Sequence, residues 1–303
     1  MDIEGPSRTA LVTAYARAYH QIFDRPRILT DPLATRLLGV DVDALAELGR
    51  PPVDSAGGGG PDILRLGVGD RPRRLFFAAR ARFAEDCVAD AAAAGVGQVV
   101  VLGAGLDTFA YRNPHPGLRV FEVDHPATQA WKHQRLAESG IDVPDRVTFV
   151  PVDFETDTLA ARLEATGFRR ADPAVFVWLG VVYYLTPDAV RATLEYVVGC
   201  SEPVEVIFDY LQAADTGEDR AQLRARAHRA AAVGEPWFSY FAPDDIAAEL
   251  RALGFTAVDD RPAVDVIAGY LDGSAEFAGE PPEALRPVRI LRASRSGHDD
   301  DSR

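Results

Sequence analysis

The chain has 303 residues, 47% of them apolar, and a formal net charge of −14, enough for one large α/β domain or two small ones. That acid excess excludes a broad basic surface for nucleic-acid backbones and disfavours anionic membranes, and no apolar run approaches the ~20 residues of a membrane span. Two cysteines without paired spacing, Cys87 and Cys200, exclude a disulfide framework and a cysteine-based zinc site.

The start, MDIEGPSRTA, is polar and acidic, unlike a secretory signal, so a cytoplasmic protein is expected. Ser7 and Thr9 can cap a helix over 7–23. Asp31-Pro32 reads as another helix start, with Asp31 as cap, and the helical pattern runs through Leu38. Residues 50–69 are rich in Pro and Gly, including Gly57 to Gly60, and read as a mobile surface loop. Arg73 to Ala94 form a long helix, ended by Gly95 and Gly97. Strands are then expected at 98–102, 118–123, 147–150, 174–179, 204–209, 255–258 and 287–293, with helices at 126–138, 156–166, 187–199 and 243–253. This alternation argues for a mostly parallel sheet covered on both faces. A polar, Arg-rich helix from Thr216 to Val233 interrupts it and reads as a solvated face. The expected organisation is a helical extension or lid over 1–95 and a core over 96–293 with a helical insertion at about 211–240. A disordered tail over 294–303 completes it.

The chemistry concentrates at strand ends. The run Val99 to Leu102 stops at Gly103-Ala104-Gly105, followed by Asp107. Such a turn lets a ligand approach main-chain N–H groups without a Cβ in the way. A dinucleotide fingerprint would have glycine at position 108, where this chain has Thr108, and no P-loop lysine follows. The second strand ends in Glu122 and Asp124, placed to accept bonds from ribose hydroxyls. The third ends at Asp153-Phe154, suited to an adenine amino group and ring, or to a helix cap. These signals describe a site for a nucleoside without phosphates, S-adenosyl-L-methionine being the common cofactor of that kind. The fourth strand runs into Leu179-Gly180 and then Tyr183 and Tyr184, candidates for touching substrate or cofactor, while Trp178 reads as core. Arg80, on the long helix, could hold a carboxylate. Six histidines lack metal spacing, so no metal is expected; His125 could flank the ribose.

LGAGLDTFAYR, VFEVDHP, VPVDFE and WLGVVYYLTPDAV, in that order, resemble the leucine carboxyl methyltransferase-like family. PSRTA, DPLA at 31–34 and PWFSYFAPDDIAAELRALGF extend the resemblance over roughly residues 6 to 293. The family is a branch of the class I S-adenosylmethionine-dependent methyltransferases, met in actinobacteria and polyketide gene clusters. The resemblance implies an α/β Rossmann-like fold with a seven-stranded, mostly parallel sheet. The strand-end motifs and the resemblance together give the expected cofactor contacts as Arg80, Gly103, Ala104, Gly105, Asp107, Glu122, Asp124, Asp153, Phe154, Leu179 and Gly180, the resemblance itself carrying Arg80, Gly103, Gly105, Glu122, Asp124, Asp153 and Phe154. Gly103 and Gly105 fall to the methionine part, Asp124 (with Glu122 second) to the ribose, and Asp153 and Phe154 to the adenine. Two positions depart from the pattern. Phe109 stands where the family often has Arg. Leu179 stands where members that methylate a protein C-terminus carry Glu.

Methyl transfer from a sulfonium demands alignment and exclusion of water. A carboxylate acceptor is already ionised and needs no base, whereas a phenol benefits from one. With no histidine in a motif position, the expected reaction is O-methylation of a small-molecule carboxylate, possible in secondary metabolism. A phenol or enol acceptor is the alternative, with Tyr183, Tyr184 and His20 as acceptor-site candidates. A non-catalytic nucleoside-binding subunit is the reading from another class. A small-molecule acceptor is the expected partner, without nucleic acid or membrane, and the oligomeric state is left open.

Overall fold

The computed structural model describes residues 6–50, 63–153, 156–232, 234–271, 277 and 279–296. Four helices come first: α1 (Arg8–Phe23), α2 (Ala34–Leu38), α3 (Val42–Leu48) and α4 (Ile63–Gly69). The long α5 (Arg71–Ala93) then feeds β1 (Gln98–Leu102), α6 (Phe109–Arg112), β2 (Arg119–Asp124), α7 (Pro126–Glu138), β3 (Val147–Pro151) and α8 (Leu159–Ala165). The second half holds β4 (Ala174–Trp178), a 3₁₀ turn (Val182–Tyr184), α9 (Pro187–Val198), β5 (Val204–Leu211) and α10 (Gly217–Ala232). α11 (Pro243–Leu253), β6 (Ala257–Pro262), α12 (Ala263–Tyr270) and β7 (Val288–Arg295) complete it.

The strands form one sheet in the order β3-β2-β1-β4-β5-β7-β6. β1 to β5 are parallel, and β7 runs antiparallel to both β5 and β6. β1 and β4 are buried along their whole length, which explains their unbroken Val and Phe runs. Alternate residues serve opposite layers. Val99, Val101, Val175 and Val177 pack in the cluster with α5 and α12, while Val100, Leu102, Phe176 and Trp178 pack in the cluster with α8, α9 and α11. The order reverses between β1 and β4, so their carboxyl ends open a crevice at the topological switch point.

α1 lies over that crevice, with Ser7 accepting from the Ala10 N–H as N-cap. Its far end is tied to α5 through Asp24, which is 3% exposed. Asp24 accepts from Arg74 Nη2 at 2.9 Å, Arg71 Nη1 at 2.9 Å and His20 Nδ1 at 3.2 Å. Burial alone would raise this carboxyl, but the bonds from His20 and Arg74 hold it well below the usual range. Its stabilisation is therefore complete above the unfolded value near pH 4 and fades as pH falls below that. Asp24→Asn should lower the melting temperature at pH 7, and the gap from wild type should narrow steadily below about pH 4; thermal unfolding across that range checks it.

Several expectations are corrected. Asp31 does not cap α2, whose N-cap is Leu33; its carboxylate accepts instead from Thr108 Oγ1 at 2.8 Å, which draws the 31–33 turn onto the loop after β1. α8 starts at Leu159, because Thr158 rather than Asp153 caps it. The stretch expected to be loop contains α4, and two further helices were not expected: α3, which Asp41 caps by accepting from the Ala44 N–H at 2.7 Å, and the short α12, whose N-cap Pro262 makes no side-chain bond. Ser294 and Arg295, assigned to a disordered tail, belong to β7, where they pair with Glu205 and Val204. Gly57 to Gly60 and residues 297–303 lie outside the described residues.

Candidate active site

The turn after β1 is built on two glycines. Gly103 has φ +66°, and a Cβ there would collide with Val181; Gly105 has φ +45°, and a Cβ would lie 3.3 Å from Ala10 of α1. Both positions suit glycine for conformation and for space. The loop's own N–H groups are already engaged. Gly103 N and Ala104 N donate to Val123 O at 2.9 and 3.0 Å, and Gly105 N donates to Asp124 Oδ2 at 2.6 Å. The expectation that a ligand meets free amides here is thus corrected: the glycines provide room, and their donors hold β2 and its terminal acid in place.

Asp124 is clamped on both oxygens, since His125 N also donates to Oδ1 at 2.7 Å. Each carboxylate oxygen keeps further acceptor capacity. Burial raises the Asp124 pKa, and the bonds from Gly105 and His125 act against that rise. Asp124 and His125 both line a cavity of about 600 Å³ at the switch point, with Gly103, Ala104, Gly105 and Asp107 on its wall. Asp107 accepts from Phe109 N at 2.7 Å, and its Oδ2 lies 3.5 Å from Arg17 Nη1.

The opposite wall comes from α1, whose cavity-lining residues the sequence reading did not name as site residues. Thr9, Thr13 and Arg17 line the cavity, and their i, i+4, i+8 spacing places them on one helix face. That polar stripe in an Ala-rich helix is the signal that could have found them. The Thr13 Oγ1 atom is buried on this wall without a hydrogen-bond partner. Arg17 donates from Nη2 to Leu106 O at 2.7 Å, and its Nε lies 3.4 Å from Asp31 Oδ2.

β4 delivers Leu179 and Gly180 to the cavity, and Trp178, 2% exposed, reaches its edge from the core. Arg80 also lines it, but its Nη1 donates to Asp209 Oδ2 at 2.8 Å. The other oxygen of Asp209 accepts from Gly180 N at 2.6 Å. Gly180 has φ +74°, and a Cβ there would come 2.9 Å from Arg80 Nη2. Arg80 therefore sits against the β4 turn through a buried acid that sequence reasoning missed. A lone carboxylate in the apolar run VIFDYL was its signal.

The structure does not bring the remaining candidates together. Tyr184 lines the cavity, whereas Tyr183 packs on Trp237, ring centroids 5.8 Å apart, and is not on the wall. His20 is 1% exposed, and its Nε2 accepts from Ile28 N at 3.0 Å and Leu29 N at 3.3 Å, which leaves it no access to an acceptor. Glu122 lies deeper along β2 than Asp124. It is 1% exposed, accepting from Lys132 Nζ and from the Tyr111 hydroxyl, each at 2.8 Å, with no cavity contact. Asp153 is off the wall, where Asp157, Thr158 and Leu159 stand instead; Phe154 lies outside the described residues. Ala189, Ala192, Thr193 and Tyr196 close that end from α9. Among the described residues no cluster of His, Cys, Asp and Glu could hold a metal, and no helix is long and apolar enough to cross a membrane.

A crevice with a ribose-type acid, at the switch point of a sheet with this order and one reversed strand, defines a class I methyltransferase. The model of the leucine carboxyl methyltransferase family matches residues 10–198. A Bacillus subtilis protein, YktD, provisionally named an S-adenosyl-L-methionine-dependent methyltransferase, is 31% identical over 82% of this chain and 86% of its own length. A relative from Mycobacterium sp. (strain JLS), named in the same way, is 35% identical over 77% of this chain and 74% of its own. A methyltransferase-type structure from Thermobifida fusca superposes with a TM-score of 0.54 over 98% of this chain and 97% of that one. At 16% identity it is a likeness of fold. The chain belongs to the leucine carboxyl methyltransferase family, and it is an S-adenosylmethionine-dependent methyltransferase.

Proposed function

We propose that this enzyme methylates an oxygen atom of a small, largely apolar acceptor. The observation that carries this reading is the single cavity running from Asp124 past Gly105 to Thr9 and Tyr184, where Phe77, Val181 and Leu185 give it an apolar wall. The residues present fit the cofactor. Asp124 offers two oriented oxygens to the ribose, and the unpartnered Thr13 hydroxyl beside Arg17 suits the polar methionine end. Asp157 to Leu159, with Tyr196, suit the base. Arg80 faces the cavity with a guanidinium committed to Asp209, so its main contribution is to position Gly180.

S-adenosylmethionine supplies a methyl group on a sulfonium, which an oxygen nucleophile receives by in-line displacement. The protein's part is to orient both partners and to exclude water, which can contribute on the order of 7–11 kcal/mol. In this reading α1 and the segment after α10 act as a lid, the extension and insertion keep the boundaries expected above, and the core runs on to Arg295 with β7. Titration calorimetry with S-adenosylmethionine, followed by product mass and base lability, tests the proposal. Binding in the micromolar range or better and transfer to oxygen are expected; absence of binding, or transfer only to nitrogen or carbon, would overturn it.

A further inference from the structure

Bonded to Thr9 and Tyr184, and not itself on the cavity wall, is a carboxylate that none of the motifs quoted above includes. Glu235 follows α10 and is half-buried. Its Oε1 accepts from Thr9 N at 3.0 Å, and its Oε2 accepts a short hydrogen bond from the Thr9 hydroxyl. The Tyr184 hydroxyl lies 2.8 Å from Thr9 Oγ1 and 3.4 Å from Glu235 Oε2. Thr9 and Tyr184 both face the cavity. With its proton aimed at Glu235 and the Tyr184 hydroxyl donating into one lone pair, the Thr9 oxygen keeps a second lone pair that can accept a proton from a ligand in the cavity.

The charges on the wall point the same way. Among the described residues its guanidinium groups are Arg17, facing Asp31 and Asp107, and Arg80, paired with Asp209. An acceptor carboxylate at the Thr9 end would find no uncommitted cation among these and would have the Glu235 carboxylate behind Thr9. Tyr184 cannot itself serve as base, because burial, with Tyr183 and Glu235 close by, pushes its phenol well above the usual value and keeps it a donor.

We propose that Glu235, acting through the Thr9 hydroxyl, takes the proton of the methylated oxygen, and that the acceptor is therefore a phenol or enol rather than a carboxylate. This rests on the O-methyltransferase reading. The acceptor O–H proton passes to Thr9 Oγ1 as the Thr9 proton passes to Glu235 Oε2. The freed oxygen pair forms the O–C bond, and the C–S bond of the sulfonium donor breaks with its pair going to sulfur. Thr9 is the group in contact with the acceptor, and Glu235 positions and drains it. On this proposal the expected carboxylate acceptor gives way to the phenol or enol alternative.

The matched probes 2-naphthol and 2-naphthoate, with methyl-labelled S-adenosylmethionine, test the proposal. Wild type should give a base-stable ether from the naphthol and no ester from the naphthoate. Glu235→Gln and Thr9→Val should each lower kcat on 2-naphthol by about 100-fold while leaving cofactor affinity in place. Thr9→Ser should keep activity. A nitro-substituted naphthol, already ionised at the assay pH, should restore turnover in Glu235→Gln, which a purely structural role would not do. If Glu235→Gln fails to fold, judged by circular dichroism, the Thr9 pair carries the test. Ester formation, no ether from either hydroxyl probe, or undiminished kcat in Glu235→Gln and Thr9→Val overturns the proposal. So does a tenfold or larger loss of cofactor affinity in Glu235→Gln, about 1.4 kcal/mol, which would place this carboxylate on the methionine ammonium. Failure of wild type to bind the cofactor would instead strike the O-methyltransferase reading itself.

Discussion

Asp124→Ala is expected to weaken S-adenosylmethionine binding by roughly 10²–10³-fold, about 3–4 kcal/mol. Two effects add. In the proposed contact the ribose loses its bonds to a charged acceptor, each worth about 1.5–3 kcal/mol. The loop also loses its anchor, because Gly105 N and His125 N both donate to this carboxylate. Calorimetry gives the affinity, and a near-wild-type value would remove Asp124 from the ribose contact. The pH dependence follows with a definite sign. Burial raises the Asp124 pKa, and only the ionised form accepts two hydroxyls. Affinity should be flat at neutral pH and fall as pH drops through the raised value, sooner than for an exposed aspartate.

Lys132→Ala should destabilise the fold by about 3–5 kcal/mol, measured by urea unfolding at pH 7. Lys132 and Glu122 are each 1% exposed and 2.8 Å apart. The loss comes from leaving Glu122 buried with only the Tyr111 hydroxyl, since its Oε1 already has no partner. Burial drives the Glu122 pKa upward, and Lys132 is the chief counterweight. Lys132→Met combined with Glu122→Gln removes both charges and should recover most of the loss. An equal loss in the double variant would show that packing, not charge, is at stake.

The central strands were legible because they are buried on both faces, whereas the more exposed β6, expected at 255–258, lies at Ala257–Pro262. β1 and β4 read as continuous apolar runs, and the glycines and acids that end them are local signals within a few residues of the strands. α7 and α11 were legible to the residue because proline opens each and a polar turn or glycine closes it. What sequence left hidden is long-range. Thr9 and Glu235 are 226 positions apart, and no local pattern announces such a bond. Asp209 shows as an acid in an apolar strand, yet its partners come from α5 and from the turn after β4. Glu122 misled for a related reason. It shares a strand face with Asp124, and only the packing of α7 decides which acid is covered by Lys132 and which meets the cavity. His20 looked like a base in an N-terminal helix and is consumed by two backbone donors.

Lys132 is also the single lysine of the 303-residue sequence. The chain's one ε-amine therefore sits sealed between β2 and α7, out of reach of acylating reagents while those two elements stay closed. Side-chain amine labelling becomes a clock for the opening of that half of the sheet: each modified lysine records an excursion in which the packing beneath Asp124 came apart. A ligand bound against Asp124, two residues along β2 from the Glu122 that pairs with this lysine, would slow the clock without touching the amine.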